Sequence, residues 1–280
     1  MILVIGATGN IGGRALRDLA AEGVAVRALS RDPSKLPALG DHVEVVAGDL
    51  EHPHTIAAAL DGVDKVLLCA ASSNPMLHEA AVIRQAGEAG VEHMVLVSSF
   101  GVEYGVGSGP AHQPGEVALR SSGLAWTILR GMAYMSNALR WRDTIRSSGV
   151  FYEPTGSGRY AMIDPADIGA VAAKVLTEAG HDAKTYDLTG PEALSSGTYA
   201  AKLATAVGRP IRHVDIPAEA FEDAMLKAGV PQAVLEPVAG FYALVKAGRL
   251  QIVTPTVEQI LGVPATAFDA WAQRNADAFR

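Results

Sequence analysis

Met1-Ile2-Leu3-Val4-Ile5-Gly6-Ala7-Thr8-Gly9-Asn10-Ile11-Gly12-Gly13 opens the chain. An apolar run of strand length stops at Gly6, glycines recur at 9 and 12, and Asn10–Ala21 then carries apolar residues at helical spacing. Strand, glycine turn and helix in that order form the phosphate-holding start of a dinucleotide fold. A glycine turn lets the backbone come close to a pyrophosphate, and the helix N-terminus adds free N–H groups and partial positive charge. The spacing is G-x-x-G-x-x-G rather than G-x-G-x-x-G, so the flanking strand and helix carry the reading more than the triplet does. They place Gly6, Thr8, Gly9, Asn10, Ile11 and Gly12 against the diphosphate of a dinucleotide.

Working outward, Ala25–Leu29, Val43–Ala47, Lys65–Cys69, Met94–Ser98 and Trp126–Leu129 read as further strands. They are short and nearly continuous in apolar character, the pattern of strands covered on both faces. Helices are predicted over His54–Leu60 and over Pro75–Ala89, the latter followed by Gly90 as a left-handed cap. This alternation predicts right-handed crossovers and an α/β fold: a doubly wound parallel sheet of the Rossmann type.

After Arg130 the texture changes. Ser147-Ser148-Gly149 and Pro154-Thr155-Gly156-Ser157-Gly158 are turn clusters, and Asp164-Pro165 supplies an N-cap and a first helical residue for a helix through Glu178. Strands are predicted at Thr185–Leu188 and Arg212–Ile216. Helices follow at Ser196–Val207, Pro217–Ala228, Ala233–Lys246, Thr256–Leu261 and Thr266–Ala278. The expected organisation is an NADP-binding domain over 1–130 and a smaller C-terminal α/β lobe with a helical tail over 131–280, the chain being free to cross between them. Doubly wound folds bind ligand at the C-terminal edge of the sheet, and the smaller lobe is expected to close there.

Composition narrows the function. The 280 residues are 49% apolar and 19% charged, which is ordinary globular composition. The net charge is −7 and the 23 Lys and Arg are scattered, which argues against a nucleic-acid surface. No apolar run reaches membrane-spanning length, and the chain enters a strand at once, so neither a membrane partner nor a signal peptide is expected. The single cysteine, Cys69, lies in an apolar run and excludes a disulfide framework. A cytoplasmic protein is expected, with a homodimer as one assembly open to it.

The second strand ends at Leu29-Ser30-Arg31-Asp32-Pro33-Ser34-Lys35. An acidic residue here accepts the ribose 2′-OH of NAD, whereas an arginine suits the 2′-phosphate of NADP. Arg31, with Ser30 and Lys35 nearby, favours NADP(H); Asp32 argues the other way, and Arg-Asp-Pro is also good turn chemistry. Asp49, followed by Leu50, suits either the adenine amino group or the cap of the next helix. Ala70, Ala71 and Ser72 are small enough for a cofactor to lie flat against them. His52-Pro53-His54, near Asp49 and Glu51, reads as the turn that starts a helix, and no metal is expected. Ser98-Ser99 has no G-x-S-x-G elbow around it, which disfavours a hydrolase.

Gly6-Ala7-Thr8-Gly9-Asn10-Ile11-Gly12, Val26-Arg27-Ala28-Leu29-Ser30-Arg31-Asp32-Pro33, Gly48-Asp49-Leu50, Val97-Ser98-Ser99, Ser122-Gly123-Leu124-Ala125-Trp126-Thr127-Ile128-Leu129-Arg130 and Tyr186-Asp187-Leu188-Thr189-Gly190-Pro191 together resemble the NmrA-like atypical short-chain dehydrogenase/reductases. The resemblance runs through nearly the whole chain. It implies NADP(H) binding, with Ser98 and Ser99 among the cofactor contacts. Its enzyme members include NAD(P)H:quinone oxidoreductases and triphenylmethane dye reductases, and other members are NAD(P)-sensing regulators. Mainstream relatives pair a serine with Tyr-x-x-x-Lys: the tyrosine gives a proton to the substrate carbonyl, and the lysine lowers its pKa and holds the nicotinamide ribose. Registered on Glu116-Val117-Ala118-Leu119-Arg120, the lysine position holds His112 and the tyrosine position Ser108, so the pair is absent.

Hydride chemistry remains. A quinone or similar conjugated aromatic acceptor is electron-poor and needs little acid from the protein, which supplies orientation and a dry pocket. The expected function is therefore NADPH-dependent hydride transfer to such an acceptor. His112 and Tyr134 are the candidate catalytic side chains; Phe100, Met132, Met135 and Asn137 are candidates for the substrate pocket. Ordinary core packing is the alternative for Met132, Tyr134 and Met135, and a surface-loop position is the alternative for His112. Two other functions stay open: a non-catalytic NADP(H)-sensing regulator, motivated by the missing pair, and a tailoring reductase of aromatic secondary metabolism.

Overall fold

A computed structural model describes residues 1–70 and 75–280 of the chain. Strand β1 (Ile2–Ile5) is buried at every residue, because an Ile-Leu-Val-Ile run fits only where both faces are covered. It lies parallel between β2 (Val26–Ser30) and β4 (Lys65–Leu68). On the far side of β2 runs β3 (Val43–Ala47), also parallel, and β5 (His93–Ser99) pairs parallel with β4. Adding β6 (Ala125–Gly131), the order is β3-β2-β1-β4-β5-β6, followed by the strand Lys184–Leu188. The sheet is the doubly wound arrangement predicted, and its order reverses between β1 and β4, the switch point at which such folds bind dinucleotides.

Helix α1 (Gly12–Ala21) buries Ala15, Leu16, Leu19 and Ala20, one stripe at helical spacing. It is followed by α2 (Pro53–Ala59) and α3 (Pro75–Glu88), each within a residue or two of its predicted span. Glu116 lies on α4 (Gly109–Arg120), which runs through Pro114.

The chain forms two compact units. The sheet unit comprises 1–99, 111–130 and 165–187, and the second comprises 100–110, 131–164 and 188–280. The sheet unit has an aliphatic core built from Leu3, Ile5, Leu60, Val66, Leu96 and Ile128 among others. It includes the helix Pro165–Thr177, which starts at the predicted proline.

The second unit pairs Val150–Glu153 in parallel with Arg212–Asp215, and Arg159–Tyr160 antiparallel with Leu194–Ser195. Its core is aromatic: Trp141, Phe151, Tyr160, Tyr199, Phe268 and Trp271 share one buried cluster. Trp141 stacks on Phe151 at 3.9 Å with the planes 10° apart. The predicted helix Thr266–Ala278 is shorter, Phe268–Arg274, and ends in a 3-10 turn over Ala276–Phe279. Among the described residues, no helix is long and apolar enough to cross a membrane.

Candidate functional site

The turn between β1 and α1 depends on glycine. Gly6 has φ +86°, and a Cβ there would lie 2.4 Å from the Cys69 carbonyl oxygen; a Cβ on Gly12 would lie 2.4 Å from that of Gly6. A side chain at Gly6 would push the turn off the end of β4, and one at Gly12 would push α1 off the turn. The Gly9 N–H donates to Gly6 O at 2.9 Å and closes the turn. Ala7 and Ile11 are buried, whereas Thr8, Gly9 and Asn10 are exposed. Ile11 precedes α1 without a side-chain cap, and the first turn of the helix carries no acidic residue. Exposed turn backbone, an uncapped dipole end and no competing carboxylate suit a diphosphate.

At the end of β2 the competing acid is engaged. Asp32 Oδ1 accepts from the Ser34 N–H at 3.2 Å and from the Ser34 hydroxyl at 2.6 Å, capping the turn Pro33–Lys35. That hydroxyl bond holds the Asp32 carboxyl below its ordinary value. Lys35 Nζ stands 3.8 Å from Asp32 Oδ2, and the Ser30 hydroxyl donates to Asp32 O at 2.8 Å. Arg31 is exposed beside this closed turn, in the place where a 2′-phosphate would be read.

Asp49 shapes the approach to α2. Its Oδ1 accepts from the Glu51 N–H at 3.1 Å, and its own N–H donates to Thr55 Oγ1 at 3.0 Å. Leu50 packs against the aliphatic core and Ala70 is buried. Ala71 and Ser72 lie outside the described residues. His52 immediately precedes α2, and no group of three or more metal-ligating side chains is gathered among the described residues.

Ser98 and Ser99 end β5 and are buried. The Ser98 hydroxyl donates to Glu116 Oε1 at 2.6 Å. Glu116, on α4, is wholly buried and also accepts from Arg130 Nε at 2.9 Å, from an Arg130 terminal nitrogen at 2.7 Å and from Arg120 at 2.9 Å. Burial works against its charge, but the bonds from Arg130, Ser98 and Arg120 win and hold the carboxyl below the usual range. One turn earlier on α4, His112 Nδ1 lies 2.7 Å from Glu79 Oε1. Glu79 belongs to α3 and is wholly buried. Sequence reading passed over it, although it falls on the stripe Glu79, Val82, Ile83 and Ala86, all buried.

The remaining candidates belong to the second unit. Phe100, Met132 and Met135 are buried in its aromatic cluster, the arrangement of core packing. Tyr134 is half-buried and bridges to Ile163 through its backbone. Asn137 is half-buried on the 3-10 turn Met135–Trp141, where its Oδ1 accepts from Arg140 at 3.2 Å.

Comparison with known proteins gives a consistent picture. A family model described as NAD(P)H-binding matches residues 6–179. An NAD(P)H azoreductase of Xenophilus azovorans is 38% identical over 291 residues, covering 100% of this chain and 99% of that protein. A (4-alkanoyl-5-oxo-2,5-dihydrofuran-3-yl)methyl phosphate reductase of Streptomyces griseus is 36% identical over 283 residues, covering 100% and 99%. Among solved structures, an NADPH-dependent quinone oxidoreductase of Escherichia coli complexed with NADPH superposes with a TM-score of 0.86 at 28% identity, covering 98% of this chain and 99% of that one.

Proposed function

Because the chain belongs to the NAD(P)H-binding family, as an NmrA-like atypical short-chain dehydrogenase/reductase, we propose that it is an NADPH-dependent reductase of quinones, azo compounds or similar conjugated aromatic acceptors. The observation that carries the reading is the exposed Thr8–Asn10 turn on the uncapped start of α1, with Arg31 exposed where Asp32 is tied into its own turn.

The turn N–H groups and the α1 dipole hold the diphosphate, and Arg31 takes the 2′-phosphate with its planar pair of donors. Bound NADPH supplies the hydride. Ser99, His112 and the Ser98–Glu116–Arg130 cluster shape the end of β5 and the start of α4. Tyr134 and Asn137, with the apolar Phe100, Met132 and Met135, are the side chains of the second unit assigned to the acceptor. Without a Tyr-x-x-x-Lys pair, the acceptor these residues can serve is one that takes hydride readily. Cytoplasmic placement is part of the reading, and burial pushes the lone Cys69 thiol up to about 11, which keeps it protonated and inert.

NADPH oxidation with a panel of quinones, azo dyes and triphenylmethane dyes tests this. Turnover on at least one class is expected, and NADPH binding without turnover on any overturns the reductase in favour of a sensor. Arg31→Ala is expected to weaken NADPH by about 1.5–3 kcal/mol through loss of a charge-assisted phosphate contact. NADH should change little, and equal weakening of both cofactors would remove Arg31 from the 2′-phosphate.

A further inference from the structure

Glu79 occupies a position where packing alone calls for no acid. It sits on the buried stripe of α3 with Val82, Ile83 and Ala86, and a carboxylate on such a stripe is costly unless paired. Only one of its oxygens is paired: Oε1 meets His112 Nδ1 at 2.7 Å, while Oε2 is buried with no hydrogen-bond partner. The fold makes room for that oxygen. A Cβ on Gly115 would lie 2.0 Å from Glu79 Oε2, so α4 carries no side chain at this point.

We propose that Glu79 and His112 form the proton store of the reductase, Glu79 being the positioning residue that binds the ring through Nδ1 and leaves Nε2 as the atom that delivers the proton. The inference rests on the NADPH-dependent reductase reading above. The groups facing Glu79 are His112 and Glu116 on α4 and Cys69 at the end of β4. Cys69 stays protonated because burial takes its thiol to about 11, and Glu116 stays ionised because Arg130 and Arg120 hold it there. His112 is thus the partner that Glu79 holds by a hydrogen bond, Nδ1 to Oε1 at 2.7 Å. Burial pushes the Glu79 carboxyl up, against the His112 hydrogen bond, and the Glu116 charge pushes it the same way.

The acceptor is reduced by the two electrons of the hydride and is left with a negative oxygen or nitrogen. The Nε2–H bond of the imidazolium breaks, its electron pair stays on the ring, and an O–H or N–H bond forms on the acceptor. Neutral His112 keeps Nδ1–H donating to Glu79, and water reprotonates Nε2.

Glu79→Gln in the full chain tests this, read by kcat and KM for one quinone from about pH 5.5 to 9, by NADPH affinity, and by 15N NMR of the His112 ring. NADPH affinity should hold within about twofold, kcat should fall about 10- to 100-fold, and the descending limb of the pH profile should move about one unit lower as the ring loses its counter-charge. Glu79→Asp should restore part of kcat and the original limb. If Glu79→Gln does not fold, the wild-type ring decides: a protonated Nδ1 with Nε2 titrating supports the store, and a bare Nδ1 near neutrality overturns it. Wild-type turnover that Glu79→Gln leaves unchanged in rate and pH limb overturns the store alone. Absence of wild-type turnover overturns the reductase reading and the store together.

Discussion

Glu116 in the sheet unit and Glu153 in the second unit are both buried, yet their partners differ in kind. Glu116 is held by two guanidinium groups and one hydroxyl. Among the described residues, the donors on the Glu153 carboxylate are neutral: Trp141 Nε1 at 3.2 Å and Tyr242 OH at 2.9 Å on Oε1, with Tyr160 OH at 3.2 Å and Ser196 Oγ at 2.9 Å on Oε2. Burial lifts the Glu153 carboxyl above its ordinary value, and the bonds from Tyr242 and Ser196 reverse this only in part. The two sites show that four hydrogen bonds do not by themselves stabilise a buried charge. Cationic partners do so at Glu116, whereas at Glu153 desolvation outweighs the neutral donors and lifts the carboxyl.

The largest expected effect comes from Glu116→Gln. Arg130 and Arg120 would lose their anion, and breaking a buried pair costs about 3–5 kcal/mol, read by urea unfolding. Glu153→Gln should cost less, about 1–2 kcal/mol, since no cation loses its partner and the site loses only part of its acceptor capacity. A larger loss at Glu153 than at Glu116 would break the comparison.

A smaller effect concerns pH and sharpens it. Glu116, with its folded value depressed, contributes stability above the ordinary carboxylate range and loses it as pH falls through the lowered value. Glu153, with its folded value raised, contributes fully below the ordinary range and loses that contribution as pH rises through the raised value. Above the ordinary carboxylate range, Glu153→Gln should therefore flatten the fall in the urea midpoint with rising pH, and a slope identical to wild type would count against the raised value.

These carboxylates also mark what the chain makes plain before folding. The β1 turn and α1 are legible because an apolar run and spaced glycines encode strand, turn and dipole locally. Arg31 stands out in the sequence as a candidate for a 2′-phosphate, but the engagement of Asp32 with Ser34 was not legible, since an acid in a turn looks the same whether free or capping. Helix α4 was hidden by Gly109, Pro110, Pro114 and Gly115, and at Gly115 the reason is tertiary: the Glu79 carboxylate occupies the space of a side chain. Glu79 was detectable by its helical spacing from Val82, Ile83 and Ala86, which share its buried face. The strand Val150–Glu153 was lost among turn residues, because its partner Arg212–Asp215 lies far along the chain.

Trp141 gives the second unit an optical gauge. Its indole N–H rests on Glu153 and its ring lies flat on Phe151, so gain or loss of the carboxyl proton alters the electric field across the fluorophore. In a variant with Trp126 and Trp271 replaced by Phe, the emission maximum of the remaining indole would follow that ionisation directly, with no label attached.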